Sequence, residues 1–299
     1  VTFADRLTAL VAARESQIVL GLDPDPSRLW PEALERAPAQ GPAGQRAAAA
    51  VRAHCLALVD AAGPACVAVK PQLACFERLG AAGWDALQAV VDHARAAGLL
   101  VIADAKRGDI DVSAAAYAQA LVGVTPTPFG DAAGLGADAF TANPLLGVDA
   151  LEPLVAGARA AGAGIFVLVR TSNPGAADVE DLELAGGGHV WERLAAIVDG
   201  LAGPGDGLSE IGAVVGATRP EHVARMRELM PRAPFLLPGI GAQGGRVEDL
   251  APAFAPGRAG GLLSASRSIA RAHEQRRGVP RDAARAEAER LREAAWSLA

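Results

Sequence analysis

Short apolar runs recur along this chain, separated by longer alanine-rich segments in which apolar residues return every three to four positions. Runs of about 4 to 8 apolar residues bounded by glycine, proline or charge are the mark of buried strands. They fall at 18–22, 66–70, 99–104, 137–141, 164–170, 211–216, 234–238 and 260–264. Between them the helical period predicts helices at 45–62, 84–97, 111–124, 148–161, 190–201, 221–230 and 247–253, with a last one at 281–298. Another, at 3–14, precedes the first strand. Eight alternations of strand and helix predict an α/β fold, a (β/α)8 TIM barrel, with 1–299 as a single domain. A doubly wound open sheet would need a glycine-rich first turn, and Gly21-Leu22-Asp23-Pro24-Asp25-Pro26 is not one. The stretches 123–136 and 203–207 read as joining loops, and 173–188 as a long glycine-rich insertion after the fifth strand, of a length often used for lids.

Composition narrows the function classes. Apolar residues make up 51% of the 299 positions and charged residues 21%, with a net charge of −6. No sustained basic stripe is present, so nucleic acid is not an expected partner. The locally basic 271–281 reads as a solvated loop. No stretch reaches membrane-span length, and Val1-Thr2-Phe3-Ala4-Asp5-Arg6 does not begin a signal sequence. Cys55, Cys66 and Cys75 have no metal-ligand spacing and cannot all pair; Cys66 reads as a small buried thiol. A cytoplasmic protein is expected. The five histidines are scattered and read as surface or helix residues, the four tryptophans as packing residues.

The chemistry gathers at one rim. In this architecture catalytic groups lie at the C-terminal ends of strands. The first strand ends in Asp23, the second in Lys70, and the third in Asp104-Ala105-Lys106-Arg107-Gly108-Asp109-Ile110. Side chains two apart on a strand share a face, so Asp104 and Lys106 leave together while Asp109 lies beyond, free to serve another surface. Burying unpaired charge is expensive, and charges on several adjacent strand ends argue for a shared site. After the seventh strand comes Pro238-Gly239-Ile240-Gly241-Ala242-Gln243-Gly244-Gly245, and after the eighth Ser266-Arg267, the usual phosphate position of the fold. No thiamine, pyridoxal or metal motif is present, so no cofactor and no metal are expected.

The run Asp104-x-Lys106-x-x-Asp109-Ile110 is similar to the signature of the orotidine 5′-phosphate decarboxylase family. Gly21-Leu22-Asp23-Pro24, Val69-Lys70-Pro71-Gln72, Thr171-Ser172-Asn173-Pro174, the glycine-rich run after the seventh strand and Ser266-Arg267 follow in the family's order. With Phe76-Glu77 and the long insertion, the chain resembles the longer bacterial subfamily (type 2). The resemblance implies a cofactor-free homodimer that converts orotidine 5′-phosphate to UMP and CO2, with each active site shared across the interface. It implies Lys106 as proton donor to C6, Asp104 beside the departing carboxylate, and Lys70 and Asp23 at Asp104 and the ribose. Asp109, Ile110 and Ser113 would reach the partner's ribose and base, and Ser172 would read the pyrimidine edge. Gln243 and Arg267 would grip the phosphate, with amides near Gly241 and Ser266; Pro238 would line the same site. Where many relatives have glycine before the arginine, this chain has Ser266. Two alternatives remain at this stage: a Mg-dependent sugar-phosphate aldolase or decarboxylase, which would need extra carboxylates such as Glu77, and a non-catalytic phosphometabolite sensor.

Overall fold

The computed structural model describes residues 1–217, 219–240, 244–275 and 278–299. Eight parallel strands close a barrel: β1 (Ile18–Leu22), β2 (Ala68–Pro71), β3 (Leu100–Arg107), β4 (Ala139–Ala142), β5 (Gly164–Arg170), β6 (Ile211–Val215), β7 (Phe235–Pro238) and β8 (Gly261–Ala265). Each pairs with its neighbours in chain order, and β1 closes the ring against β8 with Ile18 opposite Leu263. The expected (β/α)8 barrel is the fold. No helix among the described residues is long and apolar enough to cross a membrane.

Alternation along the strands decides what faces inward. Val19, Ala68, Leu100, Ile102, Ala139, Phe166, Val214, Leu236 and Leu262 form one buried cluster inside the barrel. The helix Phe3–Arg14 seals its lower end with Phe3, Leu7 and Val11. Residues between these positions, such as Ile18, Leu20, Val69, Val101, Phe140 and Phe235, join a second cluster with the surrounding helices. Two residues further along the inward face, at the upper end, the side chains turn polar: Lys70, Asp104, Thr141 and Ser264 are all buried. A layer of polar groups on an apolar plug is the floor of a site.

Several expectations need correction. The region 123–136 is not plain loop: Val124–Thr127 and Gly130–Ala133 pair as an antiparallel hairpin, turned at Pro128 and Phe129, with Phe129 wholly exposed. β3 runs on to Arg107 rather than stopping at Asp104. The insertion after β5 contains a short helix, Ala176–Val179. The basic 271–281 stretch is partly helical, at Ala272–Gln275, and Arg281 pairs with Glu32 at 2.7 Å; Arg276 and Arg277 lie outside the described residues. Trp84 is 42% exposed and does little packing.

Of the two readings given to the histidines, surface or helix, His54 takes the second. It sits buried in the helix Ala43–Ala62, edge-on to Trp30, and its Nδ1 accepts the Trp30 backbone N–H at 3.2 Å. Burial, reinforced by His273, lowers its pKa to about 4. An unfolded chain would protonate this ring near pH 6.5. Above that pH both states are neutral and its packing contributes in full. As pH falls from about 6.5 towards 4 the unfolded state gains the proton first, so stability is lost, by about 3 kcal/mol in all. His54→Gln should therefore flatten the decline of calorimetric stability across this window. An unchanged slope would show that another group sets it.

Candidate active site

Asp104 is the hub of the polar layer. Its carboxylate accepts from Lys70 Nζ and Gln72 Nε2 (3.2 Å) on Oδ2, and from Lys106 Nζ (2.5 Å) and Thr141 Oγ1 (3.0 Å) on Oδ1. Four donors on one buried carboxylate saturate it. Burial alone would push Asp104 up, but Lys70 and then Lys106 outweigh it and hold the carboxyl well below the usual range. Burial likewise works against charge on Lys70, yet Asp104 and then Asp23 keep its pKa raised. The result is a preorganised anion flanked by two ammonium groups. Lys70 is buried, whereas the Lys106 side chain is 44% exposed and opens to the mouth of the barrel.

Lys106 reaches this position through an irregular strand. Ala103 pairs with Phe140 and Arg107 with Ala142, so Asp104, Ala105 and Lys106 oppose Thr141 alone. Lys106 takes the left-handed backbone conformation, φ +48°. Simple alternation therefore gave the right destination for Asp104 and Lys106 by too simple a route. Beyond the bulge, Arg107 forms an ion pair with Glu77, and its guanidinium lies 5.3 Å from the Tyr117 ring centre. The Arg107 carbonyl accepts from the Asn143 N–H at 2.8 Å. Gly108 fits closely here, since a Cβ on it would stand 2.9 Å from the Asn143 carbonyl oxygen. Glu77, the carboxylate a metal-dependent aldolase would require, is thus engaged by an arginine, and the described residues contain no cluster of three or more potential metal ligands.

The remaining predicted residues divide into three groups. Asp23, Pro238, Ser266 and Arg267 stand on the same rim: Asp23 is exposed just past β1, Pro238 ends β7, and Arg267 is exposed at the start of a short helix after β8. Ser266 crosses to β1 so closely that a Cβ on Gly21 would stand 2.7 Å from its Cβ. Ser172 follows β5, partly buried, with its Cα against Gly216 at the end of β6. Asp109, Ile110 and Ser113 lie past the end of β3. Asp109 accepts its neighbour Ile110's N–H at 2.8 Å, and Ile110 and Ser113 are exposed at the start of the helix Asp111–Leu121. Gly241 and Gln243 lie outside the described residues.

Two site residues were not singled out from sequence: Gln72 and Thr141. Thr141 carried a readable signal, a hydroxyl at the inward position two beyond the apolar Ala139. The insertion after β5 is tied down: Arg170 forks onto Asp181 (3.2 and 2.8 Å), and Thr171 bonds to Glu180 through both its N–H and its hydroxyl. Its first half, up to Asp181, is held in place beside Ser172 rather than hanging as a free flap.

Comparison with known proteins follows the same lines. The model of the orotidine 5′-phosphate decarboxylase / HUMPS family matches residues 16–281. A protein from Deinococcus radiodurans named orotidine 5′-phosphate decarboxylase is 43% identical over 287 residues, covering 95% of this chain and 94% of its own length. One of the same name from Rhodopirellula baltica is 40% identical over 277 residues, covering 92% and 90%. Among solved structures, the OMP decarboxylase of Leishmania donovani matches with a TM-score of 0.73 at 32% identity, covering 99% of both chains.

Proposed function

This chain belongs to the orotidine 5′-phosphate decarboxylase / HUMPS family and is a carboxy-lyase that converts orotidine 5′-phosphate to UMP and CO2; on that premise we propose that the Lys70–Asp104–Lys106 cluster is its reacting centre. Loss of CO2 from C6 leaves an electron pair in the plane of the pyrimidine ring, where the ring's π-system cannot accept it. The chain's own means of stabilising that charge is a fixed cation at C6, and a preorganised charge costs no reorganisation at the moment of reaction. Lys106 fits this role: its ammonium is anchored on Asp104 and open to the barrel mouth. It also carries the proton that C6 must receive. Asp104 holds Lys106, with Lys70 locking Asp104 from the buried side. The observation that carries the reading is this carboxylate gripped by two lysines at the open end of an apolar barrel.

Recognition of the rest of the substrate falls to the rim. Arg267, with the Gly241 and Gln243 positions and the Ser266 amide, holds the phosphate; Ser172 and Pro238 flank the base; Asp23 faces the ribose. Phosphate binding remote from C6 supplies energy for placing the base against Lys106. The active unit is a homodimer in the cytoplasm, built from one barrel domain per chain, with Asp109, Ile110 and Ser113 of the partner subunit completing each site. Three features support the dimer. Asp109 lies beyond the end of β3, bonded to its neighbour Ile110. Ile110 and Val112 beside it are exposed, at 52% and 83%. Leu145 and Leu146, exposed as well, lie on the loop after β4 that touches Gly108. Buried free thiols at Cys55 and Cys66 suit a reducing compartment, and burial pushes Cys66 up to about 12.

The test is turnover in the presence of EDTA. Purified protein should consume orotidine 5′-phosphate and release UMP and CO2 at an undiminished rate. Strict Mg dependence, turnover of a sugar phosphate only, or nucleotide binding without turnover would each contradict the proposal.

A further inference from the structure

We infer that Thr141 is a positioning residue for the decarboxylation, setting Lys106 and Asp104 relative to each other through one directed hydroxyl. The inference rests on the reading of Lys106 and Asp104 given above. In a regular parallel ladder residues of β3 and β4 pair one to one, and alternate residues of β3 bond to β4. Here three residues of β3, Asp104, Ala105 and Lys106, oppose Thr141 alone, so one-to-one pairing breaks down at the bulge. Within it a side chain bonds the backbone: the Thr141 hydroxyl accepts the Lys106 N–H at 2.9 Å.

A hydroxyl has one proton and two lone pairs. Because the Lys106 N–H can only donate, Thr141 accepts there and its own proton is free for Asp104 Oδ1, at 3.0 Å. The Asp104 carboxylate can only accept. The direction of the relay, from N–H to hydroxyl to carboxylate, is therefore fixed. It ties the backbone of the proton donor to the carboxylate that holds its ammonium. Thr141 is 1% exposed, so water does not replace it at either contact. The Lys106 side chain is 44% exposed and has little packing to hold it, and its backbone sits in the left-handed region, disfavoured for a side chain of this size. The bulge needs a local constraint, and the hydroxyl is one.

Thr141→Val keeps the shape and removes the hydroxyl; Thr141→Ser keeps the hydroxyl and removes a methyl group. Hydrogen bonds to charged groups contribute enough that Val should lower kcat by about 10- to 100-fold. KM and UMP affinity should change by less than about 3-fold, because the phosphate and base contacts lie elsewhere. Ser should keep kcat within about 3-fold of wild type, a rescue that a purely packing role would not give. Thr141→Ala carries the same test should the valine variant not fold. Normal turnover by the hydroxyl-free variants would overturn the inference, as would a serine variant as slow as valine. Lys106→Ala, measured alongside, separates the two levels. If it turns over normally, the reading of the site fails and this inference with it. If it is inactive while Thr141→Val is normal, the inference alone fails.

Discussion

Lys106→Ala is expected to lower kcat by at least about 10³-fold while leaving UMP binding within about 10-fold of wild type. On the proposed reading the substitution removes the cation that faces C6 and the proton that C6 receives, two functions on one nitrogen. It does not touch Arg267 or the strand ends that flank the base, so the ground-state complex should still form. Folding should survive as well, because the Lys106 side chain is 44% exposed and its removal leaves Asp104 with Lys70, Gln72 and Thr141 as donors. Steady-state kinetics and calorimetric titration with UMP read the two effects separately. A variant with near-normal kcat would remove Lys106 from the reacting centre. A variant that loses nucleotide binding in step with turnover would make it a binding residue instead.

The barrel and its rim were legible because both depend on short-range pattern. Eight apolar runs of strand length set the order, and the polar residues that end the first three, Asp23, Lys70 and Asp104, fell on one rim. Lys70, Asp104 and Lys106, far apart or irregularly placed in sequence, meet for that reason. What escaped depends on pairing between distant segments. The bulge at Asp104–Lys106 is set by the register of β3 against β4, which no local periodicity reports. Thr141 gains its meaning only opposite that bulge. The hairpin after the helix Asp111–Leu121 has prolines and glycine in place of apolar alternation, and all of its strand residues are exposed, so no hydrophobic signal marks it. The burial of His54 was not legible, because a histidine in an alanine-rich helix looks the same from sequence whether it faces solvent or, as here, Trp30. Asp109 is the instructive case: sequence placed it outside the alternation, and in the structure it follows the strand and bonds the N–H of its neighbour Ile110.

That position makes subunit mixing the most direct test of the central claim, a reacting centre on one chain completed by a carboxylate from another. Under the proposed sharing, symmetry gives a dimer two equivalent sites, each pairing Lys106 of one chain with Asp109 of the partner subunit. Lys106→Ala and Asp109→Ala homodimers should each be nearly inactive, since every site in either lacks one group. When equal amounts are mixed and allowed to exchange, about half the dimers become mixed, and in each of these one site carries both defects and the other none. Activity should then rise from near zero to about a quarter of the wild-type value, in proportion to the mixed dimer measured by native mass spectrometry. Mixed dimers that form in the expected amount without any return of activity would contradict the shared site and place Asp109 in the service of its own chain.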